Sequence, residues 1–208
     1  MKTKSIINSR SGFTLIEMIG VIAIIAILAA FITPKVFEVI NDSKVTRFAG
    51  EVNGYKSAVT NWYKDIGTIA ALTAGGAEDT TENNFHDELI SNNGTTTTSG
   101  LWANWNGPYI DSVANISLGT GLDIQTQPGA SGTSTPVATD GTSFDLDDDG
   151  ANDMENRQVV AIELAGVSAT DCVKLDGIID KGLTASAKAT SGKVKYSGTT
   201  MYIYLTSL

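Results

Sequence analysis

The densest group of potential metal ligands in the sequence is an acidic segment between Asp145 and Asp153. Aspartates occupy its first, third, fifth and ninth positions, and Gly150 occupies the sixth. Alternate aspartates of a tight turn converge on one point, and the glycine permits the sharp bend. Hard oxygen ligands at this density favour Ca²⁺ over zinc. The predicted calcium ligands are the aspartates Asp145, Asp147, Asp149 and Asp153 and the backbone carbonyl of Ala151.

The spacing of these ligands matches the first three-quarters of an EF-hand-type calcium loop. The segment departs from that pattern at its end, because Asn156 stands where a bidentate glutamate is expected and Glu155 comes one residue early. A strand pattern follows at Gln158, so no pair of flanking helices is expected. The alternative is an acidic surface turn without an ion. Five aspartates within nine residues repel one another unless a cation is bound, which favours calcium, with Asp148 pointing away.

The second feature that indicates function is one carboxylate, Glu17, within an apolar run. From Phe13 to Thr33 the chain has 21 residues, of which Glu17 alone is charged. As an α-helix this run measures about 31 Å, which matches the hydrocarbon core of a bilayer. A carboxylate in such a helix is costly unless it is paired, so it marks a functional position. The alternative is a glutamate that reaches back to the membrane interface.

The residues around Glu17 resemble a known processing signal. Gly12 is followed by Phe13-Thr-Leu-Ile-Glu17, after a short basic leader and before the apolar run. This string is similar to the class III signal of type IV pilins and type II secretion pseudopilins. The resemblance implies that a prepilin peptidase cuts after Gly12 and methylates Phe13, and that Glu17 is the assembly glutamate. Pro34 falls where many pilins carry a helix-disturbing proline, which predicts a kink or local melting near residues 30–36.

The leader, residues 1–12, sets the orientation in the membrane. It contains Lys2, Lys4 and Arg10 and no acid, so it is expected to stay in the cytoplasm. A secretory signal would instead be cut after the apolar run. The resemblance implies a single-pass prepilin in the inner membrane, and then a cell-surface pilus or a periplasmic pseudopilus. Its implied partners are the peptidase, an inner-membrane assembly platform and other copies in a homopolymeric filament.

The helical pattern continues beyond the apolar run and predicts one long helix from Phe13 to Ile66. Residues 13–33 are expected in the membrane or filament core, and residues 37–66 are expected to pack on a head formed by residues 67–208. The packing face repeats every three or four residues, at Val45, Phe48, Val52, Tyr55, Val59, Trp62 and Ile66. The sequence therefore predicts an α+β fold, in which a long N-terminal hydrophobic helix packs on an antiparallel sheet.

Within the head, strand patterns occur at 113–118, 158–164, 192–197 and 200–206, with a hairpin turn at Ser197-Gly198. A short helix is predicted within residues 82–90. A second, amphipathic helix is predicted from a cap at Ser168 to Asp180, with Val173 and Leu175–Ile178 facing partly inward. The Gly/Ser/Thr/Pro-rich segment 119–141 is predicted to be loop. Two tryptophans, Trp102 and Trp105, are expected to close the base of the core.

Composition excludes several classes of function. The formal net charge of −9 repels phosphate backbones, so nucleic-acid binding is not expected. The single cysteine, Cys172, cannot form an intramolecular disulfide and is expected to be a small buried residue. With His86 as the single histidine and no Ser/His/Asp set, zinc motif or phosphate loop, the chain is not expected to be an enzyme.

Three functions stay open at this point. The favoured one is a structural subunit of a type IV pilus-like filament, with a role in adhesion, motility or a related surface process. The second is a pseudopilin of a type II secretion system, which the resemblance supports through the calcium-like loop, because major pseudopilins use a calcium site in the head. The third is a calcium-binding membrane protein that keeps its leader as an anchor.

Overall fold

The computed structural model of the chain describes residues 12–79, 85–94, 100–111, 116, 118–127, 144–147, 153, 158–181 and 191–207. The chain divides into two compact units, Met1–Asn41 and Asp42–Leu208, here named the N-terminal unit and the head unit. One helix, α1 (Leu15–Ile66), begins in the first unit and ends in the second. The predicted long helix is therefore confirmed to within two residues of its expected start.

The N-terminal unit exposes its apolar side chains. Every residue from Gly12 to Asn41 is exposed, and α1 is long and apolar enough to cross a membrane by length and composition. Helical structure continues through Pro34, with the Thr33 hydroxyl donating to the carbonyl of Ala29 at 2.6 Å. The predicted local melting is thus not seen in this described stretch, and the kink stays a prediction.

The second half of α1 forms one wall of the core of the head unit. Its buried side chains repeat at the predicted spacing, because one apolar stripe of the helix faces the sheet while the polar residues face solvent. Tyr55 is only partly buried. The buried members of the stripe are Val45, Phe48, Val52, Val59, Trp62 and Ile66.

A four-stranded antiparallel sheet forms the opposite wall of the core. Its strands are β1 (Gly121–Gln127), β2 (Val159–Ala165), β3 (Val194–Ser197) and β4 (Thr200–Ser207), in the order β1-β2-β4-β3. The register of β2 on β4 shifts between Val160 and Ala161. β3 and β4 form the predicted hairpin, whose turn uses Gly198 at a φ of 61° that favours glycine.

Among the described residues of the head unit there are three short helices: α2 (His86–Ile90), a 3₁₀-helix (Gly100–Asn104) and α3 (Ala169–Ile179). The predicted cap of α3 is confirmed, because the Ser168 hydroxyl accepts a hydrogen bond from the Asp171 amide at 3.2 Å. Leu175 is buried as predicted, whereas Val173 is 46% exposed, so the inward placement of Val173 was wrong. The core side of α3 is formed by Cys172, Leu175 and Asp176 instead.

One loop prediction was also wrong. Residues 121–127, within the predicted loop 119–141, form β1, because pairing with β2 and burial of Ile124 and Thr126 stabilise a short strand that composition alone disfavours. The rest of that segment from 128 onward lies outside the described residues. So does most of the strand predicted at 113–118, whose described members Ile116 and Leu118 are not in a strand.

Candidate functional site

The start of α1 holds Glu17 in a reciprocal hydrogen-bond pair with Thr14. The Thr14 backbone N–H donates to Glu17 Oε2 at 2.7 Å, and the Thr14 hydroxyl donates to the same oxygen at 2.8 Å. The Glu17 amide donates to the Thr14 hydroxyl oxygen at 3.4 Å. Thr14 is therefore the N-cap of α1, and the pair forms a capping box that satisfies amides at the helix start.

This arrangement fixes where the charge of Glu17 lies. A carboxylate in the first helical turn is stabilised by the positive end of the helix dipole. The side chain bends back toward the N-terminus, because both of its hydrogen bonds go to Thr14. Glu17 thus presents a negative charge close to Phe13, which is itself 82% exposed. An amine at or near this end of a neighbouring helix would find a carboxylate already in position.

The predicted cleavage site lies just before this capping box. Gly12 and Phe13 precede the first helical residue, and both are exposed. No atom lies within 4 Å of a Cβ built on Gly12. The two residues of the predicted cleavage site are thus exposed, and cleavage between them stays a prediction.

The acidic segment brings three of its predicted ligands together. Carboxylate oxygens of Asp145, Asp147 and Asp153 lie within 4.8 Å of one another. Asp145 is buried, whereas Asp147 and Asp153 are exposed. The other two predicted ligands, Asp149 and Ala151, lie outside the described residues.

Hydrogen bonds join the described residues of this acidic segment to one another and to Gly192. The Asp153 amide donates to the Phe144 carbonyl at 2.9 Å, and the Leu146 amide donates to Asp153 Oδ2 at 2.6 Å. The Gly192 amide donates to the Asp145 carbonyl at 2.5 Å, just before β3. These bonds hold the described residues 144–147 and Asp153 together, with the three carboxylates close to one another. These three carboxylates fit a hard cation, which takes six to eight oxygens in the case of Ca²⁺.

A buried cation lies beside the same turn. The ammonium of Lys195 is 5.7 Å from the centre of the Phe144 ring, and Lys195 is buried. Phe144 also meets the Tyr204 ring, with 5.4 Å between ring centres. This contact between Phe144, on the segment, and Lys195, on β3, stabilises the base of the acidic turn.

The single histidine and the single cysteine are both affected by burial in the head. His86 Nδ1 lies 3.9 Å from Asp123 Oδ1, and burial lowers the pKa of His86 more than the charges of Asp123 and Asp87 raise it. Cys172 is buried as predicted, and burial raises the pKa of its thiol to about 11, so the thiol is protonated at neutral pH. Among the described residues, neither one belongs to a cluster of three or more potential metal ligands.

Trp102 and Trp105 pack in the core of the head, as expected of residues that close it. Trp102 is fully buried and Trp105 is partly buried. Their indole N–H groups donate to backbone carbonyls, Trp102 to Thr73 at 2.8 Å and Trp105 to Glu88 at 3.1 Å. Because these donors are used inside the head, both rings serve packing.

Sequence reasoning missed two of the residues that organise these regions. Thr14 was not singled out, although Thr-x-x-Glu ahead of an apolar run is the sequence signal of a capping box. Glu88, buried on α2, accepts a hydrogen bond from the Leu72 amide at 2.8 Å. Its partner is sixteen residues away, so no local pattern indicates this contact.

Comparison with known proteins agrees with the geometry of the N-terminus. Residues 7–33 match the family described as the prokaryotic N-terminal methylation motif. A type IV major alpha-pilin of Moraxella bovis is 50% identical over 52 residues, which is 25% of this chain and 33% of that protein. The chain thus carries an N-terminal methylation motif, and part of its length is similar to type IV pilins and fimbrial proteins.

A longer match, over 111 residues, includes part of the head unit. The fimbrial protein EcpC of Eikenella corrodens is 32% identical over 111 residues, 53% of this chain and 58% of that protein. The chain therefore spans between a third and somewhat more than half of the length of the curated relatives it matches. No solved structure matches the chain significantly.

Proposed function

We propose that this chain is a type IV pilin-like subunit, made as a membrane-inserted prepilin, cut after Gly12, methylated at Phe13, and polymerised through α1 into a pilus-like filament. The observation that carries the proposal is Glu17, held in a capping box at the tip of an exposed apolar helix. A helix that is apolar on all sides requires lipid or other helices around it. Its partners in this proposal are the prepilin peptidase, an inner-membrane platform and other copies of the chain.

The role proposed for Glu17 follows from the cost of burying a charge. When α1 leaves the lipid and packs among other helices, an unpaired carboxylate is strongly destabilising. Cleavage after Gly12 creates a positively charged amine at Phe13. Pairing of that amine with Glu17 of a neighbouring copy offsets the cost of burial and fixes where each copy is added along the filament.

A surface pilus is favoured over a periplasmic pseudopilus by the two curated relatives, which are named as a pilin and a fimbrial protein. The pseudopilin of a type II secretion system is kept as the second candidate because three carboxylates converge in the head. Filaments shed outside the cell support the pilus. Filaments that stay in the periplasm support the pseudopilus.

We further propose that the acidic turn binds Ca²⁺ through Asp145, Asp147 and Asp153, with Asp149 and the carbonyl of Ala151 completing the ligand set. The hard oxygen donors of the described aspartates support the choice of ion. A bound ion would neutralise their mutual repulsion and tie the segment before β2 to the start of β3. Its role would be structural, since a head without a disulfide gains stability from any ligand that binds the folded state alone.

The proposed function is tested by comparing Glu17→Val with Glu78→Val, a matched change at an exposed glutamate of the head. Intact-mass and N-terminal analysis is done on membranes and on sheared filaments. Unchanged protein and Glu78→Val should give methylated Phe13 in both fractions. Glu17→Val should give processed subunits in membranes and about tenfold fewer filaments or less, because the buried amine loses its partner.

Two results would contradict the proposal. One is a Glu17→Val variant that assembles as well as the unchanged protein. The other is an uncut chain that begins at Met1 and is confined to membranes, in a host with a working prepilin peptidase. That second result would favour a membrane protein anchored by its leader.

A further inference from the structure

A groove lies in the head unit between two helices. One wall is the part of α1 that follows Asn41, and the other is α3. The groove has a volume of about 460 Å³ and is lined on the α1 side by Asp42, Val45 and Thr46. Val173, Lys174 and Ile178 line it on the α3 side. The Lys174 ammonium bridges the two helices, 2.5 Å from Asp42 Oδ1. This cleft is called the α1–α3 groove below.

The groove presents apolar surface to solvent. Val173 is 46% exposed on α3, although the neighbouring Cys172 and Leu175 are fully buried. Ile178 is only partly buried. Single exposed apolar residues are common, but apolar residues that line a groove and are flanked by charges are typical of a contact surface.

A candidate occupant is present on the chain itself, in the N-terminal unit. The membrane-length segment ends at Thr33, yet α1 continues with four more exposed large apolar side chains: Val36, Phe37, Val39 and Ile40. The hydrocarbon core of a bilayer, about 30 Å thick, covers the segment 13–33 and leaves these four residues beyond it. They require another apolar surface, and other copies of the chain supply one.

Charges on this stretch complement those of the groove. Lys35 and Glu38 form an exposed ion pair of 2.7 Å. Val39, which is 65% exposed, is a neighbour of Lys35 on the helix surface, because the two are four residues apart, and Glu38 is a neighbour of Lys35 on its other side. The stretch thus presents an apolar side chain beside a cation, with an anion on the far side of that cation. The α1–α3 groove likewise presents apolar surface beside Asp42 and Lys174.

We propose that the α1–α3 groove of one copy receives residues 35–40 of a second copy. Val39 packs against Val173 and Ile178, Lys35 faces Asp42, and Glu38 faces Lys174. The surface that inserts differs from the surface that receives, so the contact is heterologous and each copy can contact a further one. Contacts of this kind build open helical assemblies when the rotation does not close. The inference rests on the proposed function, because it places the contact within the filament.

The first test is disulfide cross-linking in assembled filaments. Val39→Cys and Val173→Cys are combined in one chain, and native Cys172 is kept because it is buried with a raised thiol pKa. The matched control combines Val39→Cys with Tyr63→Cys, another exposed position of α1. Oxidation should convert the first variant into a ladder of covalent multimers and leave the control monomeric.

The second test exchanges charges. Asp42→Lys with Lys174→Asp keeps an ion pair within each copy but reverses the polarity of the groove. Filament yield should fall about tenfold, and adding Lys35→Glu with Glu38→Lys should restore it. Processed subunit in membranes should stay at the normal level throughout, which separates loss of assembly from loss of folding.

The outcomes distinguish failure of the proposed groove contact from failure of the proposed function on which it rests. If the unchanged protein gives no sheared filaments, the proposed function itself fails. If filaments form but the Val39–Val173 ladder is absent, or equals that of the Tyr63 control, then lipid or another surface fills the groove and the inference is overturned. The inference is also overturned if adding Lys35→Glu with Glu38→Lys does not restore filament assembly.

Discussion

The two halves of α1 differ in where their apolar side chains find partners. From Phe13 to Asn41 every residue is exposed, whereas between Val45 and Ile66 seven residues are buried against the head. Within the first half, residues 18–33 are apolar on all sides, whereas the second half is apolar along one stripe. A single helix thus combines a half that requires partners outside the chain with a half that the chain itself covers.

Polar groups show the same difference. In the head, buried polar side chains are bonded to backbone groups of distant segments: the Thr126 hydroxyl donates to the Ile69 carbonyl at 2.6 Å, and Asp180 accepts from the Val194 amide at 2.8 Å. In the N-terminal unit, Glu17 bonds only three residues away, to Thr14. The head is therefore specified by long-range contacts, while the tip of the helix is specified locally.

The largest effect that tests this comparison comes from a pair of matched phenylalanines. Phe48 is 0% exposed and Phe31 is 75% exposed. Phe48→Ala should lower the free energy of unfolding of the head by about 3–5 kcal/mol, because it removes a buried ring and leaves a cavity. Phe31→Ala should change it by less than about 0.5 kcal/mol. Denaturant unfolding of the full processed chain in detergent measures both. Equal losses would show that the two halves are not independent.

Calcium should act on the head and not on the N-terminal half. At about 100 times its Kd, a bound ion adds about 2.7 kcal/mol, which raises the melting temperature of a domain this size by about 5–11 °C. Removal of Ca²⁺ with a chelator should reverse the rise. Asp147→Asn should abolish the rise, while Asp111→Asn, at an exposed aspartate outside the cluster, should keep it. A full calcium response in Asp147→Asn would contradict the proposed site.

The capping box predicts a smaller effect, confined to the start of α1. Thr14→Val removes the hydroxyl that bonds Glu17 and should cost about 1 kcal/mol of local helix stability. Amide exchange in the first turn should accelerate about fivefold in the purified processed subunit. Thr14→Ser keeps the hydroxyl and serves as the control. If the valine and serine variants exchange equally fast, the capping box is not formed in solution.

The smallest predicted effect is a pH dependence in the head. The pKa of His86 is lowered in the folded state, chiefly by burial. The unfolded chain therefore takes up a proton first as the pH falls below about 6.5, and stability is lost until the pH passes the folded pKa. His86→Gln should show a smaller drop in melting temperature between about pH 7.5 and 5.5 than the unchanged protein. An identical drop in both would mean that other groups cause it.

Much of the fold follows from periodicity in the sequence. The long helix and its buried stripe, the β3–β4 hairpin and the cap at Ser168 each have a local signal, and each is confirmed. β1 has little local signal, because Asp123 and Gln125 alternate with only two large apolar residues in a Gly/Thr-rich segment. Pairing with β2, some forty residues away, stabilises it.

The residues of the candidate site likewise include some that local sequence indicates and some that it does not. Glu17 is evident as a lone charge in an apolar run, and Asp145, Asp147 and Asp153 are brought together as their spacing predicts. The buried Lys195 beside Phe144 could not be foreseen, because the contact joins residues that are far apart in sequence. Sequence patterns report residues that act within one turn or one element, and long-range packing supplies the rest.

The capping box has a consequence for the order of events during maturation. All of its hydrogen bonds are made by Thr14 and Glu17, both of which stay in the chain when the leader is removed. The proposed cleavage would therefore leave these hydrogen bonds unchanged and alter only the charge at the helix tip. It would remove the basic leader and place a new amine at Phe13, whose positive charge offsets that of Glu17. Peptidase action would thus have to precede assembly, because burial of the helix tip among other helices is less costly once Glu17 can pair with an amine.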